Sequence, residues 1–362
     1  MSPVHRIEDY LAKQILSPQG YAQYRTGDVS KSELAPFIRE IAAISQSYVT
    51  HSVGNKLASP IPTITAAEAY ALYYTIINAA KILHLTPLLS LEQREISVLD
   101  IGCGPGTAGL ALLTALDKKV HMTCVEHSSP MRTVAQRLLS QYRDTGTLES
   151  LSILSGIHPQ VATSFDLVIA ANVLAELDAD EGERVIQDLA QRVSEGGYLI
   201  VLEPGQQLHT RRLMTLRNQL IQAMPAMTPQ FPCTRADHCP MLAASPTDWC
   251  HGAIEWQQPP LNAQLDDLLS FNKHRIKYSA FIFQKGGTLP EGVRVITPPQ
   301  KTRAGVETTI CGNNLYGIAR IRKGMRSENN RALEKSDVFD RLLMSKSCVG
   351  DIPEGVVITS CS

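Results

Sequence analysis

Between about residues 95 and 204 the chain alternates two hydrophobic rhythms. Short apolar runs at 97–101, 120–126, 151–154, 165–170 and 197–202 predict five strands. Stretches with apolar positions at helical spacing, at 130–142 and 180–193, lie between some of them and predict helices. Strands that alternate with helices imply a mostly parallel sheet with right-handed crossovers. Upstream, the run 70–83 contains no Gly or Pro and predicts a long helix. Thr65 and Glu68 are spaced as a capping box at its start, behind the rigid connector Ser59-Pro60-Ile61-Pro62. Downstream of Pro204 the rhythm changes. A basic helix at 208–223 leads into a Pro- and Cys-rich, irregular region at 225–260. A strand at 277–284 is expected to return to the sheet. Short β runs at 293–296, 305–310 and 316–321 suggest a small barrel or β extension.

At 362 residues the chain is long enough for two or three domains. The pattern divides it into an N-terminal helical domain (1–90), an α/β core (91–224), a Cys-rich insert with a returning strand (225–290), a β extension (291–352) and a polar tail (353–362). The fold class is α/β, with a Rossmann-like, mostly parallel sheet. No apolar stretch reaches the about 18 residues of a membrane span. Glu8 and Asp9 and the lack of an apolar run fit neither a secretory signal nor a transit peptide. The expected compartment is a bacterial cytoplasm, or the mitochondrion for a eukaryotic chain. Net charge is −1, but residues 292–326 hold seven Lys and Arg (Arg294, Lys301, Arg303, Arg320, Arg322, Lys323, Arg326) against Glu307. That +6 segment points to a polyanion partner, the alternative being a solvated strand surface. Of eight cysteines, Cys103 and Cys124 read as small core residues, and no disulfides are expected.

The chemistry starts at Val98-Leu99-Asp100-Ile101-Gly102-Cys103-Gly104-Pro105-Gly106-Thr107. A strand ends in an acid, a glycine turn follows, then a helix. The glycines permit φ > 0 and close approach of a ligand. A dinucleotide site has the spacing G-x-G-x-x-G, so that a pyrophosphate sits on the helix N-terminus. Here the spacing is G-x-G-x-G behind Asp100, whose carboxylate would repel a pyrophosphate and attract a cationic amino group. Glu126, at the end of the second strand, can accept hydrogen bonds from two ribose hydroxyls. Asp100, Gly102, Gly104, Gly106 and Glu126 therefore make a candidate S-adenosylmethionine site.

The fourth strand continues into Ala171-Asn172-Val173-Leu174-Ala175-Glu176, similar to the motif-IV region of class I methyltransferases. Asn172 is placed in the crevice at the strand end and is the candidate catalytic-face and cofactor-contacting residue. Asp166, at the opposite end, reads as structural. Glu176 reads either as a helix-start acid or as part of an acceptor pocket. Neither the N/D-P-P-Y/F motif of base amino-methyltransferases nor the Pro-Cys of cytosine C5 enzymes is present. Ser155-Gly156, after the third strand, offers no acid for adenine.

Cys233, Cys239 and Cys250 lie in an irregular segment, Pro232-Cys233 … His238-Cys239-Pro240 … Trp249-Cys250-His251. They make a soft-ligand site for zinc or an iron–sulfur cluster. Cys311 is the preferred fourth ligand. Cys348 and Cys361 are alternatives, and His238 and His251 could serve zinc.

The runs LDIGCGPGTAG, VIAANVLAEL, LIVLEPG, C-x5-CP…WCH and ITPPQKTRAGV…ICG together resemble the methyltransferase-like small-ribosomal-subunit assembly family, mitochondrial in type with bacterial relatives. Val349-Gly350-Asp351 stands where that family has Trp-Gly-Asp. The resemblance runs from about residue 60 to 352. It implies a class I methyltransferase fold that binds S-adenosylmethionine and a 4Fe–4S cluster, carried here to Cys233, Cys239, Cys250 and Cys311. It also implies action on the small ribosomal subunit and its rRNA during ribosome assembly, with neither a membrane nor DNA as partner. Three readings follow: an rRNA methyltransferase, a non-catalytic RNA-binding assembly factor held by its cluster, and a methyltransferase for a small molecule or protein. The basic segment disfavours the third. Arg211, Arg212, Arg217, Lys273, Arg275, Arg303, Arg320 and Arg322 are the candidate phosphate contacts.

Overall fold

The structure is a computed structural model that describes residues 1–50, 61–142, 147–157, 164–174, 177–312, 314–346, 348–353 and 355–361. Four helices come first: α1 (Pro3–Ile15), α2 (Pro18–Thr26), α3 (Lys31–Thr50) and α4 (Ile64–Leu85). Then follow β1 (Glu95–Ile101), α5 (Thr107–Ala115), β2 (Lys119–Val125), α6 (Ser129–Ser140), β3 (Leu148–Leu154), β4 (Phe165–Ala171), α7 (Ala179–Gln191) and β5 (Val193–Pro204). Next are α8 (Gln207–Ala223), β6 (Met227–Phe231), α9 (Pro240–Ala244), β7 (Gly252–Glu255), α10 (Pro260–Leu268) and β8 (Arg275–Lys285). The last stretch holds β9 (Val293–Val295), β10 (Gln300–Lys301), β11 (Gly305–Gly312), β12 (Leu315–Arg322), α11 (Arg331–Lys335), β13 (Arg341–Met344), β14 (Gly350–Asp351) and β15 (Ile358–Cys361).

The chain divides into two compact units. One is Met1–Gly182, Asp188–Leu199 and Ile254–Ile276; the other is Glu183–Gln187, Ile200–Ala253 and Lys277–Ser362. In the first, the strands lie in the order β3-β2-β1-β4-β5. β1 pairs in parallel with β2 and with β4, and β2 with β3. Val98, Leu99 and Asp100 are consecutive and all buried, because a central parallel strand is covered on both faces. α4 is buried almost all round, as its Ala-rich sequence allows. Its cap is Thr63, whose side chain accepts the Ala66 N–H. Thr65 is thus inside the helix, and Glu68 pairs instead with Arg137 at 2.6 Å. The Thr75 and Thr107 hydroxyls, 2.9 Å apart and buried, fix α4 to the start of α5. The helical layer therefore braces the turn that carries the glycines.

Glu8 is fully buried and takes the place of a local cap for α10. Its two oxygens accept the N–H groups of Leu261 (3.0 Å) and Asn262 (2.7 Å). Burial pushes its carboxyl up to about 7. Glu8→Ala leaves two buried donors unmet and should cost about 3 kcal/mol in urea unfolding. A loss below about 0.5 kcal/mol would show that α10 does not depend on this cap.

In the second unit the end of β5, β8 and β6 are neighbours in that order, with β7 also on β8. β6 runs antiparallel to β8 and lies inside the stretch expected to be irregular. A further open sheet has the order β14-β12-β11-β9-β13-β15, with β10 on β11. Among the described residues it is not closed into a barrel. Its core includes Val293, Val295, Ile310, Ile321 and Leu342. The segment 353–362, expected as a tail, contains β15, which pairs antiparallel with β13 and buries Ile358.

Candidate functional site

In the first unit, β1 delivers Asp100 to the glycine turn. The turn is tied to the end of β2: the N–H groups of Gly102 and Cys103 both donate to the Val125 carbonyl, at 2.8 and 3.1 Å. Gly102, Gly104 and Gly106 have φ of 65°, 56° and 92°, a region that penalises a side chain. A Cβ on Gly106 would lie 2.9 Å from Leu139 Cδ1, whereas one on Gly104 would meet nothing within 4 Å. Gly106 is thus a packing glycine, and Gly104 leaves an open cradle. Gly106→Ala should destabilise the protein by about 1–3 kcal/mol. Gly104→Ala should cost less stability but fill the cradle and weaken nucleotide binding at least tenfold. Paired thermal melts and calorimetry separate the two. Equal effects on both readouts would contradict this division.

Two acids flank the turn. Glu126 is buried at the end of β2; its Oε1 accepts the Ser128 N–H (2.8 Å) and its Oε2 the Gly104 N–H (3.0 Å). Oε1 also lies 3.3 Å from His127 Nδ1, whereas Oε2 keeps a second lone pair for a ligand. Asp100 is only 1% exposed, and its Oδ2 has no hydrogen-bond partner among the described residues. Burial, and then the neighbouring Glu126 charge, push its carboxyl up to about 8. A buried carboxyl with one oxygen unpaired among the described residues, beside an open backbone cradle, fits a cationic group of a ligand. Cys103, in the turn, and Cys124, in β2, are both buried.

Asn172 follows β4 at φ 59°, a conformation asparagine tolerates better than most residues. It is half-buried. A Cβ on Gly102 would lie 2.4 Å from Val173 Cγ2, so this segment sits directly beside the glycine turn. Asp166 accepts the N–H and hydroxyl of Ser97 (both 2.8 Å) and the Ser194 hydroxyl (3.3 Å), a structural role. Glu176 lies outside the described residues.

In the second unit, Cys233, Cys239, Cys250 and Cys311 line one cavity. Burial raises the thiols of Cys233 and Cys250, and pushes that of Cys311 up to about 12. His238 and His251 do not line this cavity; His251 stacks on Trp249, with centroids 5.0 Å apart. Cys348 packs on the core of the second sheet, and Cys361 lies in β15. Among the described residues no group of three or more His, Cys, Asp or Glu is arranged around a single metal ion. A four-iron cluster spreads its thiolates over separate iron atoms, so it suits a wider ring of thiols than one zinc ion does.

Arg217 and Arg294 also line the cavity, a role the sequence did not reveal. Arg217, expected as a phosphate contact, is 1% exposed. It donates to the carbonyls of Arg235 and Asp237, between Cys233 and Cys239. Its place four residues after Leu213 and three before Leu220, both buried, was the available signal. Arg294 donates to the Pro232 and Phe339 carbonyls, both at 2.9 Å. Other expected phosphate contacts are also committed. Arg211 donates to the carbonyls of Ser245 and Asp248. Arg320 pairs with Glu307 (2.8 Å) and Arg322 with Asp351 (2.5 Å), and in the same basic segment Arg326 pairs with Glu334 (2.8 Å). Asp351 and Glu334 lie outside the charged window, so the +6 field is partly neutralised. Lys301, Arg303, Lys323 and Arg275 stay exposed, and Arg212 and Lys273 are half-buried.

No helix among the described residues is long and apolar enough to cross a membrane. No curated protein matches the chain. Similar solved structures include the N-methyltransferase NodS of Bradyrhizobium japonicum WM9, bound to S-adenosyl-L-homocysteine. It is 15% identical over 58% of this chain and 88% of that one, with TM-score 0.37. A Listeria monocytogenes protein whose structure is described as that of a "putative class I S-adenosylmethionine-dependent methyltransferase" is 14% identical (80% and 81% covered, TM-score 0.39). Magnesium protoporphyrin IX methyltransferase of Synechocystis PCC 6803 is 13% identical (79% and 98%, TM-score 0.35). Within the first unit the strand order β3-β2-β1-β4-β5 is that of a doubly wound, mostly parallel sheet. Residues 91–321, well over half of the chain, match the family described as mitochondrial small ribosomal subunit Rsm22, and the chain belongs to that family.

Proposed function

We propose that this chain is an S-adenosylmethionine-dependent methyltransferase-like protein that acts on the small ribosomal subunit and its rRNA during assembly. The observation that carries the cofactor reading is the buried Asp100 carboxyl, whose Oδ2 has no hydrogen-bond partner among the described residues, beside the open cradle at Gly104. Asp100 would take the amino group of the methionine moiety. The backbone of Gly102, Gly104 and Gly106 would make room for the ligand, and Glu126 would accept the ribose hydroxyls. The sulfonium supplies an activated methyl group, so the protein's task is to align an acceptor with it. Asn172, beside the turn, is the residue we assign to the acceptor face, where its amide can orient the acceptor by a hydrogen bond.

Cys233, Cys239, Cys250 and Cys311 would hold a 4Fe–4S cluster, with zinc the alternative. Four half-buried thiols that line one cavity with two guanidinium groups fit an anionic metal–thiolate group. Such a centre would tie the loop after β6 to β11 and contribute folding energy.

The described residues 171–174, next to the glycine turn, offer an amide but no acid or base. That favours, as a second reading, a non-catalytic assembly factor that keeps the cofactor as a ligand. Transfer of labelled methyl groups to small subunits purified from cells lacking the protein decides between them. Incorporation that disappears in Asp100→Ala supports the enzyme. Salt-sensitive binding to rRNA with no incorporation selects the assembly factor. Absence of rRNA binding, with label transferred to a small molecule or a protein, overturns both.

A further inference from the structure

Arg217 and Arg294 are 1% and 8% exposed. Apart from a hydrogen bond from Arg217 to the Cys233 thiol, the guanidinium groups donate to neutral oxygens and to no carboxylate. Arg217 donates to the carbonyls of Arg235 and Asp237 and to Asn218 Oδ1. Arg294 donates to the carbonyls of Pro232, Phe339 and Gln230, with its guanidinium over the Phe231 ring at 5.4 Å. Neither forms an ion pair with a carboxylate within 4.0 Å among the described residues. Arg235, by contrast, is neutralised by Asp237. Asp340 attracts Arg294 from farther away, and Arg341 repels it. A buried cation without a counter-ion is costly, and two of them on the wall of one cavity require an anion there. Among the described residues, the other ionisable groups that line this cavity, apart from Arg235, are Tyr316 and the four cysteines. Arg217 hydrogen-bonds the Cys233 thiol and Arg294 lies close enough to act on it electrostatically.

We infer that Arg217 and Arg294 are built-in counter-charges for a dianionic metal–tetrathiolate centre on Cys233, Cys239, Cys250 and Cys311, an inference that rests on the cysteine reading above. The charges balance. Four thiolates carry −4, a doubly positive core leaves −2, and two guanidinium groups supply +2. An oxidised 4Fe–4S core and a zinc ion both carry +2, so the inference holds for either occupant. The arginines act through the thiolates; they are positioning residues and do not touch a substrate.

The test uses the full chain, loaded without oxygen with iron and sulfide in one arm and with zinc in the other. The readouts are metal per chain and the rate of its release to a competing chelator. Arg217→Gln and Arg294→Gln, which keep hydrogen-bonding capacity but lose charge, should release metal at least tenfold faster than wild type. Arg217→Lys and Arg294→Lys, which keep the charge, should stay within about threefold of wild type. Arg217 also braces the loop between Cys233 and Cys239, so Arg294→Gln decides the matter if Arg217→Gln does not fold. Glutamine variants that load and release like wild type would overturn the inference and leave the cysteine centre standing. Lysine variants as defective as the glutamine ones would also overturn it, because the forked hydrogen bonds and not the charge would then matter. A wild-type chain that loads neither metal removes the centre itself.

Discussion

Asp100→Asn should lower affinity for S-adenosylmethionine about a hundredfold while raising the stability of the ligand-free protein. The two effects have opposite signs for one reason. The carboxyl is buried, has no partner for Oδ2 among the described residues, and sits near Glu126. Folding pushes it from 3.8 up to about 8. The folded protein therefore binds more protons than the unfolded chain between those values. Stability must fall as pH rises through that window, by up to about 1.4 kcal/mol per pH unit from this group. Asparagine removes that cost. It also removes the charge that a cationic ligand needs, an interaction stronger than a neutral hydrogen bond. The same carboxyl must ionise when such a ligand binds. Affinity should then rise about tenfold per pH unit from 6 to 8 and level off above. In Asp100→Asn this dependence should vanish. Calorimetric titrations at three pH values check both statements. Wild-type affinity that is flat with pH, or a variant that binds as tightly as wild type, would contradict the role given to Asp100.

Cys250→Ser should cut bound metal to under a tenth of the wild-type content and lower the melting temperature by roughly 5 °C or more. Cys250 precedes β7, and its backbone is fixed independently of any metal. The Ser279 hydroxyl donates to its carbonyl (3.2 Å) and its N–H faces Met214 sulfur (3.4 Å). The thiol is thus held toward the cavity, and burial drives it well above its usual range. Without a bound cation it stays neutral. With one, the binding energy is added to folding. Cys348→Ser, on the core of the second sheet, should leave metal content unchanged. Elemental analysis and melting curves of anaerobic protein test the pair. Equal metal in Cys250→Ser and wild type would show that the cavity is not the binding place.

The parts legible in the sequence are those whose cause is local. β1, β4 and β5 stand out because strands covered on both faces read as apolar runs, and β2 because its buried positions alternate. The glycine turn stands out because three positive φ values admit few other residues. β6 was hidden: Met227-Thr228-Pro229-Gln230-Phe231 is short, has proline at its centre, and is held by its pairing with β8. β15 was hidden because Ile358-Thr359-Ser360-Cys361 has one buried apolar residue, and only β13 makes it a strand. The N-cap of α4 moved to Thr63 because a cap depends on backbone conformation as well as residue type. The basic field was overcounted for a related reason. A run of charges says nothing of partners elsewhere in the chain, and Asp351 reaches both Arg320 and Arg322. Arg217 was misassigned because a charged residue on an apolar helix face is read as an exception until the thiols opposite it are seen.

The most direct test is a calorimetric titration of the metal-loaded wild-type chain at pH 8 with S-adenosylmethionine and with S-adenosylhomocysteine. The two acids and the glycine turn require one binding site per chain, occupied by both ligands in competition and lost in Asp100→Asn. No heat with either ligand on fully loaded protein, or binding that survives Asp100→Asn unchanged, would contradict it.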